Sequence, residues 1–144
     1  MQKIKKTGFL TAVDLSVLSR QYDKGAFDQD NFFFVHGDFT DTQVQQEILR
    51  RGPYNLLLCD AAPATSGNRA VDTGRSFELA QAVMGYAETA LEKNANLLIK
   101  IFQGEDSLSI LKQMKDSFTN AKSYKPKACR GSSFETYYLG LGKQ

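Results

Sequence analysis

The chain has 144 residues, 42% of them hydrophobic and 24% charged, with a formal net charge of +2. This size and composition predict a single globular domain, residues 1–144, that can bury a core. No apolar run approaches the ~18 residues of a membrane span and no signal-peptide pattern is present, so we expect no membrane partner and a cytoplasmic location. One histidine and two cysteines form neither a zinc-type spacing nor a disulfide framework, so we expect no metal.

Two short strands are predicted early in the chain, and each leads into an acidic residue. Residues 8–13 are apolar and end at Asp14, and residues 31–36 are followed by Gly37, Asp38 and Phe39. Ligands gather at the carboxyl ends of strands in open α/β sheets, where an acidic residue can accept hydrogen bonds from a ribose diol. Phe39 could stack near an adenine, although a simple turn explains the Gly-Asp pair equally well.

A helix over residues 41–51, with Asp41 as its N-cap, precedes the most informative stretch. Residues 56–59, Leu-Leu-Leu-Cys, lack polar alternation, which predicts a strand buried on both faces at the centre of a parallel sheet. The strand ends at Asp60. This carboxylate either faces a ligand crevice or caps the following turn through its own side chain.

A long helix over residues 72–93 carries an apolar stripe that is typical of a core. The next strand, residues 96–102, is apolar apart from Lys100. A lysine in such a run is costly unless its ammonium group reaches a carboxylate, a polar ligand or water. The alternative is a side chain that extends to the rim of the sheet.

The rest of the chain predicts one more helix and two more strands. We expect a helix over residues 106–118 with Leu108 facing inward, a short strand at 121–125 and a basic loop at 126–133. A last strand at 134–141 carries Glu135 near its start. Alternating strands and helices predict a mostly parallel sheet, with the last two strands forming an antiparallel pair.

Acidic and basic side chains cluster towards the end of the chain. Asp60, Lys100 and Glu135 all lie at strand ends and could converge on one site. Between Lys100 and Arg130 there are seven basic residues against three acidic ones. Such an excess is typical either of a path for RNA phosphates or of solvated helix faces and loops.

Three segments carry these residues in order: LLLCDAAPATSG, LLIKIFQGED and KPKACRGSSFETYYLGLG. In order and spacing they resemble the FtsJ-type (RrmJ) ribosomal RNA 2'-O-methyltransferases, from Gly8 to Gly142. The resemblance implies a Rossmann-like methyltransferase sheet that uses S-adenosyl-L-methionine. It also implies methylation of large-subunit (23S-type) ribosomal RNA at a uridine ribose, with the large ribosomal subunit as partner. The alternative is a catalytically inactive module that binds RNA.

The resemblance implies roles for particular residues. Asp60, Lys100 and Glu135 match three members of the family's Lys-Asp-Lys-Glu catalytic tetrad. The residues implied in binding S-adenosyl-L-methionine are Asp14, Asp38, Phe39 and Asp60. The residues expected to bind RNA are Lys125, Lys127, Arg130 and Ser133.

The chain departs from the family pattern at its start. The family's first strand, its glycine-rich loop and the first lysine of the tetrad have no match, and residues 1–6 resemble the tail of the helix after that loop. We therefore expect a partial methyltransferase domain that lacks the first strand and glycine-rich loop, with exposed strand edges that favour self-association. Ala64 also stands where the family usually has asparagine.

Overall fold

The computed structural model describes residues 7–126 and 133–144. The chain divides into two compact units, unit 1 (Met1–Gly52) and unit 2 (Pro53–Gln144). Within the described ranges, no helix is both long enough and apolar enough to cross a membrane.

Unit 1 contains two parallel strands and a short helix: β1 (Leu10–Asp14), β2 (Phe32–His36) and α1 (Thr42–Leu49). The two strands are in register from Leu10 opposite Phe32 to Asp14 opposite His36. The predicted cap of α1 is confirmed, since the Asp41 side chain accepts hydrogen bonds from two backbone N–H groups of the first turn.

Unit 2 contains a four-stranded sheet and two helices. In chain order its elements are β3 (Tyr54–Cys59), α2 (Arg69–Ala90), β4 (Leu91–Phe102), α3 (Ser107–Ser117), β5 (Phe118–Tyr124) and β6 (Glu135–Lys143). The strand order is β3-β4-β6-β5. Strands β3 and β4 are parallel, whereas β6 is antiparallel to both of its neighbours. The predicted antiparallel pair at the end of the α/β fold is therefore confirmed.

The core of unit 2 lies between β4 and its two helices. Leu97, Ile99 and Ile101 alternate along β4 and are fully buried. Helix α2 packs on β4, and helix α3 packs on β5 and β6. The buried apolar residues of the two helices include Ala80, Val83, Met84, Ala87, Ile110 and Met114. The stripe predicted on the long helix is therefore confirmed as core.

The prediction that residues 56–59 are buried on both faces is wrong. Leu56 is 51% exposed and Leu58 is 64% exposed. Among the strands of residues 7–126 and 133–144, β3 pairs with β4 alone and is an edge of the unit 2 sheet. The register places Leu58 beside Leu98, on the face opposite the fully buried residues of β4, because partners in register point the same way.

Two helix predictions also need correction. Helix α2 begins at Arg69, three residues before the predicted start, because the Asn68 side chain caps its first turn. Leu108 of α3 is 68% exposed, whereas Ile110 is buried. The buried stripe of α3 thus follows the spacing of four from Ile110 to Met114.

The loop after β3 is fastened to the first turns of α2. The Asn68 side chain accepts hydrogen bonds from the N–H groups of Ala70 and Val71. Asp72, which is buried, accepts two bonds of 2.8 Å through Oδ1, from the backbone N–H and the hydroxyl of Ser66. These bonds, the backbone one most, hold the pKa of Asp72 below its ordinary value, because they stabilise the ionised carboxylate.

A glycine in β6 allows the sheet and α3 to pack closely. A Cβ atom on Gly140 would lie 2.9 Å from Cγ of Phe118 and 3.0 Å from Cε of Met114. The Phe118 ring is itself buried and cannot move aside cheaply in a close-packed interior.

We expect Gly140→Ala to destabilise the protein by about 1–3 kcal/mol, since the added methyl group overpacks the core. Gly85→Ala is the matched control, because nothing lies within 4 Å of a Cβ there and helix α2 should gain about 0.5–1 kcal/mol from it. Urea denaturation measures both changes. Equal effects of the two substitutions would contradict the packing described.

Asp72→Asn is expected to lower the thermal midpoint by several degrees at neutral pH, because the amide weakens both bonds from Ser66. The folded pKa of Asp72 is lowered, so its contribution is fully present above the unfolded value of about 3.9. It is lost as pH falls through the folded pKa. Thermal denaturation should therefore show the gap between wild type and variant closing in strong acid. Asp116→Asn, at an exposed position of α3, should show no such gap.

Candidate active site

An ion pair lies at the carboxyl end of the two parallel strands of unit 2. Residues Cys59 and Ile99 are in register, so the next residues, Asp60 and Lys100, lie side by side. The Nζ atom of Lys100 is 3.0 Å from Oδ1 of Asp60. Of the alternatives that the sequence leaves open for this lysine, the structure shows contact with a carboxylate.

The ion pair is asymmetric in its exposure to water. The side chain of Lys100 is 13% exposed, whereas that of Asp60 is 78% exposed. Ion pairs open to solvent contribute only about 0–1 kcal/mol to stability. The pair therefore contributes little to the free energy of unfolding. Its main effect is to give the largely buried Lys100 side chain a partner and to hold its nitrogen in position.

Tyr137 completes this cluster and was not singled out from the sequence. The antiparallel register places it beside Lys100 on β6, and its hydroxyl donates a 3.2 Å hydrogen bond to Oδ1 of Asp60. One carboxylate oxygen therefore receives both an ammonium and a phenol. The sequence contains the pair Tyr137-Tyr138 in the last strand, but only the register shows which of the two lies beside Lys100.

Glu135 lies near the cluster in sequence but makes different contacts. It is in register with Phe102, and its Oε2 accepts a 3.3 Å hydrogen bond from the Ser133 hydroxyl. That hydroxyl in turn accepts a bond from the Glu135 backbone N–H. Among the described residues, no hydrogen bond or ion pair joins Glu135 to Lys100 or Asp60.

The residues expected to bind RNA are described only in part. Nζ of Lys125 donates a 2.7 Å hydrogen bond to the carbonyl oxygen of Ser133, which brings these two predicted residues together. Lys127 and Arg130 lie outside the described residues.

Unit 1 carries the two acidic residues predicted at its strand ends. Asp14 ends β1, and its Oδ1 accepts a 2.7 Å bond from the N–H of Ser16. Asp38 follows β2, and its Oδ1 accepts bonds from the hydroxyl and the N–H of Thr40. These bonds, the hydroxyl one most, lower the pKa of Asp38. Phe39 is half-buried.

Both unit 1 carboxylates are suited to accept hydrogen bonds from a ribose. Each is exposed, and an ionised carboxylate offers about four lone-pair sites, so the local bonds leave capacity for a diol. The loops are also braced, since Nε2 of His36 lies 2.9 Å from the carbonyl oxygen of Leu15 and Gly37 N–H donates to the Asp14 carbonyl. The chemistry of these donors and acceptors fits the adenosine half of S-adenosyl-L-methionine.

The side chains of the described ranges favour neither a thiol nucleophile nor a metal centre. Burial raises the pKa of the Cys59 thiol, so this cysteine is a poor nucleophile at neutral pH. No group of three or more histidine, cysteine, aspartate or glutamate side chains is placed to hold a metal ion within residues 7–126 and 133–144.

Comparison with known proteins gives consistent relatives. The chain matches the FtsJ-like methyltransferase family over residues 1–143. It is 42% identical over 138 residues to ribosomal RNA large subunit methyltransferase E of Treponema denticola, which covers 96% of this chain and 67% of that protein. It is 43% identical over 135 residues to the protein of the same name from Borreliella afzelii, covering 94% and 68%.

Solved structures show the same fold at low sequence identity. A Plasmodium falciparum protein assigned as a ribosomal RNA methyltransferase superposes with a TM-score of 0.74 at 19% identity, covering 93% of this chain and 71% of that one. Human methyltransferase-like protein 13, solved in complex with SAH, has a TM-score of 0.53 at 13% identity, with coverages of 92% and 60%. The fold, the paired Asp60 and Lys100 and the close relatives lead to one conclusion: the chain belongs to the FtsJ-like methyltransferase family.

Proposed function

We propose that this protein methylates a ribose 2'-hydroxyl of large-subunit (23S-type) ribosomal RNA, at a uridine, with S-adenosyl-L-methionine as methyl donor. The observation that carries the proposal is the 3.0 Å pair of Lys100 and Asp60, placed at the strand ends of an FtsJ-like domain. The names of the relatives supply the substrate class. A ribosomal RNA substrate agrees with the cytoplasmic location expected from the sequence.

Lys100 is the residue proposed to act on the hydroxyl. A ribose 2'-hydroxyl is a poor nucleophile at neutral pH and needs a neighbouring group to align it and take its proton. The Lys100 side chain is largely buried and its Nζ contacts Asp60, so the amino nitrogen is held in one position. When bound, the cofactor would supply a methyl group on its sulfonium sulfur. The hydroxyl oxygen would form a bond to the methyl carbon as the carbon–sulfur bond breaks, the thioether form of the cofactor would leave, and the uncharged amine of Lys100 would take the hydroxyl proton.

Asp60 and Glu135 are proposed to hold other groups in place. Asp60 orients Lys100 and, with its exposed carboxylate, is suited to bind the amino group of the cofactor. Glu135 is proposed to orient the substrate ribose, because its contacts with Ser133 keep the carboxylate at the start of β6.

The cofactor's adenosine half is proposed to bind Asp14, Asp38 and Phe39. The lowered pKa of Asp38 keeps this acceptor ionised for the ribose or adenine groups. Phe39 offers an aromatic face for adenine. The structure of an SAH complex of human methyltransferase-like protein 13, which shares the fold, supports this cofactor class.

Lys125, Lys127, Arg130 and Ser133 are proposed to contact the RNA backbone. The bond from Lys125 to the Ser133 carbonyl uses one of the three donors of the ammonium group, so two remain for phosphate oxygens. The 2'-hydroxyl itself lets the site distinguish RNA from DNA.

Lys100→Ala is expected to lower methyl transfer at least about a hundredfold, the usual effect of losing a general base. Binding of the cofactor should stay within a few-fold, because Lys100 acts on the hydroxyl. Asp60→Ala should weaken both, since Asp60 is proposed to serve lysine and cofactor. Tritiated-methyl transfer to ribosomal particles and isothermal titration measure the two quantities.

The matched control for Lys100 is Lys93→Ala, an exposed lysine at the other end of β4, which should leave both quantities unchanged. Full transfer by Lys100→Ala would remove Lys100 from the reaction. RNA binding by the wild type without any transfer would instead favour the inactive RNA-binding module.

We also propose self-association through the open edge of β3. This strand is uncharged from Tyr54 to Cys59 and exposes Leu56 and Leu58. Edge strands that avoid pairing with another molecule usually carry charges or proline. We propose that the β3 edge pairs with the β3 edge of a second copy of this chain.

Leu58→Lys is expected to reduce the sedimentation-average mass at high concentration, because a charge blocks edge-to-edge pairing. Leu108→Lys is the control, since this leucine of α3 is 68% exposed but lies on a helix. A concentration-independent monomeric mass for the wild type would refute the proposed edge pairing.

A further inference from the structure

A second concave surface lies where the turn after β4 meets the first turn of α2. It is an open groove of about 640 Å³. Its lining residues are Arg69, Ala70, Thr73, Gln103, Gly104 and Glu105. All of them belong to unit 2, and none was assigned a role above.

The groove floor is rigid because the two segments touch. A Cβ atom on Gly104 would lie 2.8 Å from Cβ of Thr73, so only glycine permits this approach. The Ser107 hydroxyl donates a 2.8 Å bond to the Gly104 carbonyl, and the Phe102 N–H donates a buried 3.0 Å bond to the Ser76 hydroxyl. The turn that carries Gln103 and Glu105 is therefore held to the core on both sides.

One wall of the groove presents a positioned guanidinium group. Cζ of Arg69 lies 5.6 Å from the centre of the Phe134 ring. Phe134 in turn packs edge-on against Phe102, with ring centres 4.7 Å apart. Aromatic contact restrains the planar cation at the rim, and arginine planes are surfaces on which unpaired RNA bases stack.

The charges in the groove decide which part of an RNA it can take. Glu105 is exposed and lines the same groove as Arg69, and a carboxylate repels a phosphate. The Asn68 side chain already occupies the N–H groups of Ala70 and Val71, so the helix end offers little to an anion. A base edge that donates hydrogen bonds is the better match.

Guanine is the base whose edge fits a carboxylate most closely. Its Watson–Crick edge presents two neighbouring donors, N1–H and the N2 amino group, which two carboxylate oxygens can accept together. Uracil presents one N–H between two carbonyl oxygens, and the second carboxylate oxygen would face one of them. The Gln103 amide can both donate and accept at the rim.

We propose that this groove binds an unstacked guanine of the RNA, stacked on Arg69 and read by Glu105, next to the nucleotide that is methylated. The inference rests on the proposed function for the location of the RNA. Lys100 and Gln103 are three residues apart along one strand end, a separation of at most about 10 Å. The Lys100 side chain lies on the face of β4 away from α2, so a guanine in the groove would belong to a nucleotide close in the RNA chain to the one at Lys100.

The test measures binding, which does not require turnover. The probes are two fluorescently labelled single-stranded RNAs of equal length, one all uridine and one with a single central guanosine, titrated with residues 1–144. We expect the guanosine to tighten binding about tenfold, the size of one good bidentate base contact. Glu105→Gln should remove this preference, because its amide can accept from one uracil atom and donate to another.

Arg69→Ala should weaken binding of the guanosine RNA several-fold, through lost stacking. The matched controls are Glu78→Gln, which makes the same charge change at an exposed position of α2, and Lys93→Ala, which removes one positive charge at the far end of β4. Both controls should retain the full preference for guanosine.

The outcomes separate this inference from the proposed function. Equal, salt-dependent affinity for the two RNAs, unchanged by Glu105→Gln, overturns the guanine site and leaves RNA methylation standing. A guanosine preference that survives Glu105→Gln also overturns it. Failure to bind either RNA overturns the site together with the proposed RNA substrate.

Discussion

The cluster of Asp60, Lys100 and Tyr137 depends on one carboxylate oxygen. Oδ1 of Asp60 accepts from Nζ of Lys100 and from the hydroxyl of Tyr137. These three residues belong to three neighbouring strand positions, so the contact ties the exposed end of β3 to β4 and β6. In the described part of the chain, β3 is hydrogen-bonded to the sheet through β4 alone. The orientation of the Asp60 side chain, which follows β3, is therefore set mainly by Lys100 and Tyr137.

One end of β4 leads both to the Lys100–Asp60 pair and to the groove lined by Arg69 and Glu105. Residues along a strand alternate between faces, and helix α2 covers one of these faces. Lys100 points to the open face, whereas the turn from Gln103 to Glu105 meets α2 on the other. One strand end therefore presents Lys100 on one face and the groove proposed for guanine on the other.

The sequence was sufficient to predict features that depend on local chemistry or on parallel pairing. The cap at Asp41 followed from side-chain chemistry. The rule that parallel strands end at one edge indicated that Asp60 and Lys100 could meet, and the family resemblance implied that they share a site. The exposure of Leu58 and the contact of Tyr137 could not be predicted, because they depend on strand order and register. Those properties are fixed by residues far apart in the chain.

The placement of Glu135 illustrates the same limit. Its position at the start of a strand was predicted, but its hydrogen bond from Ser133 is a local turn contact that no periodicity indicates. The role proposed for it therefore rests on the family resemblance, whereas that of Lys100 also rests on its 3.0 Å contact with Asp60.

The position of β4 between β3 and β6 has a consequence for folding kinetics. Its partner β6 comes after α3 and β5 in the chain, so one edge of β4 stays unpaired until the intervening segment has closed a long loop. Loop closure of this kind makes folding slow relative to helix formation. During synthesis, Leu97, Ile99 and Ile101 remain without their final neighbours until β6 has emerged, and chaperone dependence is the expected result.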